Sequence, residues 1–424
     1  MRKKMNKKMY KLQQWAAVPL LVLCSLLWSS KESAAQISTA TVTVHDSSSI
    51  TLPSAATTAA SPASFCTGTS TTLSVSGGRL GSGTPAAQWV WYADACPTGA
   101  ATPVGTGASI TVSPTNAGTQ PITKTYYVRA EGGFCNINTA CVPVTVTINP
   151  VPVVTAPANQ VYCANAVAPA TSLSGTPTGV TYAISGGASV GLANASGLTQ
   201  IPSFTALNTT SAPVTATVTI TPSANGCTGT PVTYTITVNP KATVVATADI
   251  TKCNGNVVPA ISFTSTTTGG TVTYSWTNDN PSVGIAASGT TSTIPSFTAT
   301  NTNCTNAVAN IIVTPIYTNG GSTCNGTPDT FVVTVRPTPN ATLAAIDPAL
   351  CQGTAVQLKY TATCGTGPFA IEIRQDGATP FQNYTGVTNG SNITVTPTPT
   401  SQGTHTYDLM KITDANGCSN PVTP

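Results

Sequence analysis

One phrase recurs along this chain and constrains its fold more than any other feature. It is most complete at residues 223–240, SANGCTGTPVTYTITVNP. Positions 232–238 set Val, Tyr, Ile and Val against Thr, the alternation of a strand with one buried face. Residues 214–221 supply a second strand. Between them Asn225, Gly226 and Cys227 form a turn whose Asn-Gly pair suits the positive φ of a tight hairpin. Pro240 has no backbone donor and closes the last strand. The same ending returns as VTVTINP at 144–150 and VVTVRP at 332–337, with final prolines 90 (150 to 240) and 97 (240 to 337) residues apart. A tandem array of small β-domains is the expected result.

Composition supports folded strands over a disordered coil. Charged residues make up 7% of the chain, far below the roughly 25% of ordinary globular proteins, while 40% are hydrophobic and fall in alternating runs. No stretch shows a helical 3.6-residue period. The net charge of +4 is misleading. Arg2, Lys3, Lys4, Lys7, Lys8, Lys11 and Lys31 all precede Gln36, and without residues 1–35 the sixteen basic and twelve acidic residues fall to nine and eleven, a balance of −2. Nucleic acid is not an expected partner of such a chain.

Residues 1–35 have the three parts of a secretory signal: a basic start, an apolar run at 15–28, and Ser33-Ala34-Ala35 before Gln36. The apolar run is shorter than the roughly 20 residues of a membrane helix. Export with cleavage is expected, leaving no membrane span. Cys24 raises the lipoprotein alternative, but bulky Leu23 precedes it. The remaining twelve of the thirteen cysteines form an even set in an exported chain, which favours disulfides. Zinc is disfavoured, with no C-x-x-C pair and only His45 and His405 as histidines.

The chain divides into a leader-proximal segment and four domains. Residues 36–65 hold one strand at 40–44 and then a Ser/Thr/Ala/Pro linker. A first domain at 66–150 has strands near 71–75, 88–92, 109–112, 123–130 and 141–148, with Trp89, Trp91, Tyr92, Tyr126 and Tyr127 as its aromatic core candidates. Domains at 151–240 and 241–337 are direct repeats: VTYAI at 180–184 matches VTYSW at 272–276, SVGLA at 189–193 matches SVGIA at 282–286, and IPSFTA at 201–206 matches IPSFTA at 294–299. Tyr182, Phe204, Tyr274, Trp276 and Phe297 are their expected core. A fourth domain at 338–424 reaches its hairpin turn at Asp414–Cys418 and then lacks a closing strand, as the end of a fragment would. Pro150, Pro152, Pro240, Pro337 and Pro339 stand at the joints and stiffen them, so an extended order is expected.

These repeats carry a resemblance. CTGTPVTYTITVNP, WTNDNPSVGIAASG and IPSFTATN are similar to the PKD-like repeats of large surface proteins of Bacteroidota, and WVWYADAC followed by TYYVRAEG resembles the Ig-like domain that accompanies them. The resemblance implies an all-β tandem array of immunoglobulin-like and PKD-like sandwiches. It also implies a gliding-motility or adhesin-type surface protein, secreted by the type IX system. Surface glycans or other surface proteins are the partners this implies, and further repeats are expected after residue 424.

Little in the sequence points to chemistry. Gly187-Ala188-Ser189-Val190-Gly191 matches G-x-S-x-G, but a nucleophile elbow needs a helix after it, and the sister repeat reads NPSVG. The segment reads as a turn. Asp249, Asp279 and Asp347 are weak candidates for calcium at a domain junction, without a D-x-D-x-D-G loop. No catalytic residue, metal ligand or cofactor is assigned. Two functions compete: a non-catalytic structural or adhesive array at the cell surface, and spacer domains of a secreted enzyme or carbohydrate-binding protein whose active module lies beyond residue 424.

The cysteines Cys66, Cys96, Cys135, Cys141, Cys163, Cys227, Cys253, Cys304, Cys324, Cys351, Cys364 and Cys418 are the disulfide candidates. If the strand order is immunoglobulin-like, Cys163 and Cys253 lie at the far end of their domains and Cys227 and Cys324 at the near end. Bridged Cα atoms sit about 4.4–6.8 Å apart, so one expectation is stitching between domains, with Cys163 to Cys324. Cys253, Cys304, Cys364 and Cys418 then form two bonds at the next joint, or pair internally as Cys253–Cys304 and Cys364–Cys418. Cys135 with Cys141 closes the last hairpin of the first domain, Cys227 meets Cys66 or Cys96, and Cys351 awaits a fifth domain. The alternative is one bond inside each domain, such as Cys163–Cys227.

Overall fold

The computed structural model describes residues 57–80, 86–132, 138–379 and 381–422, which belong to one compact unit, Leu52–Pro424. The expected signal segment, the strand at 40–44, Cys24, His45 and Cys135 lie outside the described residues. Among the described residues there is no α-helix, and none is long and apolar enough to cross a membrane. The chain forms four consecutive Ig-like β-sandwiches.

In the first sandwich one sheet has Thr57–Ser61, Thr71–Ser76 and Ser109–Val112, and the other has Ser64–Cys66, Val142–Asn149, Ile122–Glu131, Gln88–Ala93 and Gly105–Thr106 in that order. Between them pack Leu73, Trp89, Trp91, Tyr126, Val128, Val146 and Ile148. The sandwich thus begins earlier than the 66–150 read from sequence. Residues Thr57–Ser61 (TTAAS) lack the bulky alternation that marks a strand, yet they pair with Thr71–Ser76 and bring Ala60 against the core. A second correction concerns Tyr127. Tyr126 is the buried partner and Tyr127 is half-exposed, because Tyr126, Val128 and Ala130 share the inward face and a one-residue step reverses the face.

The second and third sandwiches repeat one plan. Gln160–Cys163, Val232–Asn239, Val214–Ala224, Thr181–Ser185 and Ala195–Leu198 make the large sheet of one; Ile250–Cys253, Asp329–Arg336, Ala307–Asn319, Thr271–Asn278 and Ser288–Gly289 make that of the other. Short two-residue ladders cover the opposite side, Val167–Ala168 on Phe204–Thr205 and Val257–Val258 on Phe297–Thr298 among them. Tyr182, Tyr274 and Trp276 are buried, and burial pushes the phenol of Tyr234 up to about 12. Phe204 and Phe297 are only half-buried, packed at the core margin from strands too short to reach its centre.

Each of these two sandwiches contains a single 3₁₀ turn, Ala188–Val190 and Pro281–Val283, ending in Gly191 at φ 95° and Gly284 at φ 100°. A Cβ at either glycine would lie 2.2 Å from a carbonyl oxygen, that of Thr205 or Thr298. The G-x-S-x-G match is therefore a packing turn in which Ser189 faces solvent.

The fourth sandwich sets Asn340–Ala345, Gln357–Cys364 and Asn392–Thr394 against Gln382–Val387, Phe369–Gln375, Tyr407–Thr413 and Ser419–Pro421. In it Ser419–Pro421 pairs antiparallel with Tyr407–Thr413, as the hairpin arm Cys227–Thr228 pairs with Val214–Ala224 in the second sandwich.

Candidate functional site

What the structure repeats most faithfully is the joint between successive sandwiches. Each of the first three begins its large sheet with a short strand that runs parallel to its own last strand: Ser64–Cys66 on Val142–Asn149, Gln160–Cys163 on Val232–Asn239, and Ile250–Cys253 on Asp329–Arg336. The parallel pairing carries the terminal cysteine to the end of the domain where the last strand also finishes. There it meets the final hairpin of the next domain. The structure joins Cys66 to Cys227, Cys163 to Cys324 and Cys253 to Cys418, with Cα separations of 5.7, 5.5 and 5.5 Å. These lie within the range of unstrained bridges. Cys304 and Cys364 add a second bond at the third joint.

No bond joins Cys163 to Cys227, Cys253 to Cys304, or Cys364 to Cys418. Cys141 does not close its own hairpin with Cys135 but bonds Cys96, in the loop after Gln88–Ala93, at a Cα separation of 6.0 Å. The strand containing Gln88–Ala93 pairs with Ile122–Glu131, which lies next to Val142–Asn149. A neighbour in the sheet, rather than a neighbour in sequence, is thus in reach. Cys351 stands at the sequence position of Cys66, Cys163 and Cys253, and it is an exposed free thiol.

Polar and apolar contacts support each bond. At the second joint Asn239, fully buried, donates from Nδ2 to the Asn319 carbonyl at 3.0 Å, and Asn319 Nδ2 donates back to Asn239 Oδ1 at 2.9 Å. At the first joint Asn149 donates to the Asn225 carbonyl, and at the third Arg336 donates to the Asn416 carbonyl. The residue that ends one domain therefore holds the turn of the next in all three cases. Ala242, Tyr317 and Cys324 form a small buried cluster at the second joint, with Cys163 and Val272 against it. Gly229 and Gly326, each two residues after a hairpin cysteine, let the entering chain lie on the hairpin. A Cβ there would stand 1.8 Å from the Pro152 carbonyl oxygen and 2.2 Å from that of Ala242. Gly is needed for that close approach of backbones.

A third repeated device was not read from the sequence. Asn116, Asn208 and Asn301 are buried, and each donates twice from Nδ2: to the carbonyls of Gln120, Ala212 and Thr305 four residues on, and to those of Ile148, Val238 and Val335 in the last strand. Their Oδ1 atoms accept from the backbone N–H two residues on, at Gly118, Thr210 and Asn303. The signal was an Asn six residues before the penultimate strand of each domain, which starts at 122, 214 or 307, in segments (TNAG, LNTT, TNTN) that look like ordinary loop.

Two of the three acidic candidates are engaged by the protein itself. Asp249 accepts from the Val332 N–H, and Asp279 accepts twice from Asn310, which lowers its carboxyl below the usual range. Asp347 lines a cleft of about 490 Å³ in the fourth sandwich, together with Cys351, His405 and Tyr407. Among the described residues no group of His, Cys, Asp and Glu could hold a metal ion. A Cys-His-Asp grouping in that cleft invites a nucleophilic reading. Its geometry opposes it: His405 Nδ1 bonds Asp376 at 2.6 Å and Nε2 bonds the Ser401 carbonyl at 3.1 Å. Both partners are acceptors, so the ring makes both bonds only as imidazolium, which has no lone pair to take a thiol proton. The same two bonds raise the His405 pKa.

A sequence-family model described as "Ig-like domain CHU_C associated" matches residues 53–150, the first sandwich and the segment leading into it. No curated protein matches the chain. Among solved structures, an E-to-A variant of titin domains I67–I69 is 10% identical, covering 65% of this chain and 94% of that one at a TM-score of 0.36. The three N-terminal domains of the bacteriophage RB49 outer capsid protein Hoc are 12% identical, covering 68% and 99%, at 0.29. The human desmocollin-1 ectodomain is 13% identical, covering 70% and 63%, at 0.23. The matched family model agrees with the Ig-like sandwich described above for the first domain.

Proposed function

We propose that this chain is a non-catalytic structural or adhesive array on the bacterial cell surface. The observation that carries the reading is the disulfide placed at the same position in three successive joints. Such bonds form and persist mainly in oxidising compartments, which supports a place for the chain outside the cytosol. They also fasten domain to domain, where a bond inside each sandwich would stabilise that sandwich alone. Surface glycans or other surface proteins are the partners of this reading. The type IX route belongs to the same proposal and rests on the resemblance of the repeats.

The test uses intact cells that produce the protein and a strain from which its gene is deleted. Surface biotinylation should label the protein without lysis, and the deletion should reduce attachment to glycan-coated surfaces or to neighbouring cells. Unchanged attachment together with a protein protected from the label would overturn the proposal.

A further inference from the structure

Followed through covalent bonds instead of sequence, the joints trace two continuous tracks. The first runs along Ser64–Cys66, crosses to Cys227, follows Val232–Asn239 and the main chain into Ile250–Cys253, and crosses to Cys418 and Ser419–Pro421. The second runs along Val142–Asn149 into Gln160–Cys163, crosses to Cys324, and follows Asp329–Arg336 into Asn340–Ala345. In each of the first three sandwiches one strand of each track lies beside the other, parallel and hydrogen-bonded: Phe65 opposite Ile148, Tyr162 opposite Val238, Lys252 opposite Val335. The tracks exchange roles at every joint, so a short entering strand in one domain continues as the closing strand of the next.

We propose that these tracks form a two-stranded covalent cable that carries tension along the array and fixes its length. This deepens the structural reading above and rests on it. The physics is a matter of contour. Between Cys66 and Cys418 the polypeptide has 352 residue steps (66 to 418), but the first track has 26, from 227 to 253. A chain reaches at most about 3.3–3.6 Å per residue, and the two bridges of the first track add 5.7 and 5.5 Å, so the limits are about 1,200 Å and about 100 Å. A strand already rises about 3.3 Å per residue, which leaves little slack to draw out. The domains cannot be pulled open in series while the bonds stand, because tension runs through the paired track strands and bypasses the other strands of each sandwich. Both tracks run in the same direction, so a pull carried by the first shears it along the second and does not peel the two apart. In an array held by non-covalent joints the same pull would unfold domains one by one.

Single-molecule stretching of the full chain, held by handles at its two ends, tests the cable. Oxidised protein should show no lengthening of domain size, and the span from Cys66 to Cys418 should stay within about 100 Å. Reduction should raise that limit about twelvefold. The double variant Cys66→Ala/Cys227→Ala should raise it about fourfold. The shortest remaining route then runs from 66 to 96, 141 to 163 and 324 to 253, which is 123 steps. Cys163→Ala/Cys324→Ala should leave the limit unchanged, since the first track is intact, although both variants remove one bond of the same kind. Steps of about 300 Å per 90-residue domain in the oxidised chain would overturn the proposal, as would equal limits for the two double variants. An attachment test that failed would not bear on this result, because spacer domains of an enzyme would stretch in the same way.

Discussion

Replacing Asn301 by Ala should destabilise the third sandwich by about 3 kcal/mol. The side chain is 6% exposed and makes three hydrogen bonds, to the carbonyls of Val335 and Thr305 at 2.8 Å each and from the Asn303 N–H at 2.9 Å. The bond to Val335 is buried, and its loss strands a carbonyl in the closing strand at a cost of roughly 1–3 kcal/mol. The other two groups lie in a part-buried loop and regain water in part, so each adds about 0.5–1 kcal/mol. A small domain is stable by about 5–10 kcal/mol, so Asn301→Ala stays folded but opens more often. The assay is native-state hydrogen exchange. Amides of Asp329–Arg336 should exchange about 100-fold faster, while those of Val232–Asn239 in the neighbouring sandwich should not change. Asn301→Asp sharpens the test. It keeps the acceptor for the Asn303 N–H but sets a carboxylate against two carbonyl oxygens, so at neutral pH it should be at least as damaging as Ala. Acidification should relieve it, because the protonated acid can donate again. Exchange within twofold of the parent for the Ala variant, or an Asp variant better tolerated than Ala at neutral pH, would refute the reasoning.

Trp276→Ala should cost about 3–5 kcal/mol in the same sandwich, read by the same exchange experiment, because the side chain is 4% exposed in the core; a change below about 1 kcal/mol would contradict that packing. His405 should titrate above its ordinary 6.5 by NMR, since the Asp376 carboxylate and the Ser401 carbonyl accept from its ring. With the folded pKa raised, its support of the loop around Asp376 is complete below about 6.5 and is lost as pH rises through the folded value, so the protection of loop amides relative to their intrinsic base-catalysed exchange should fall above that point and not below it. Native oxidised protein treated with iodoacetamide should carry the label at Cys351 on peptide mapping, and an unlabelled Cys351 would place it in a bond.

Much of the fold was legible in residues 214–240. The alternation of Val, Tyr and Ile against Thr sets the strand, and Asn225 at φ 50° and Gly226 at φ 78° make the turn that an Asn-Gly pair specifies. These are local demands, met within ten residues, so a sequence can state them. The far-end position of Cys163 and Cys253 was legible once a strand order was assumed, because strand length and bridge length together separate the two ends of a sandwich. Which cysteine each one meets is another matter. Cys96 and Cys141 are neighbours only because the strands that carry them lie in one sheet, and nothing near Cys141 in sequence announces it. The strand Thr57–Ser61 was hidden for a related reason: TTAAS has no bulky face, and its pairing comes from Thr71–Ser76 across a turn. Asn116, Asn208 and Asn301 read as loop residues because their meaning lies in carbonyls 30 or more positions away, at Ile148, Val238 and Val335. The same limit holds for the two tracks. Sequence order names each strand and each cysteine, but the continuity of the tracks depends on which ends meet in space, and only tertiary structure decides that.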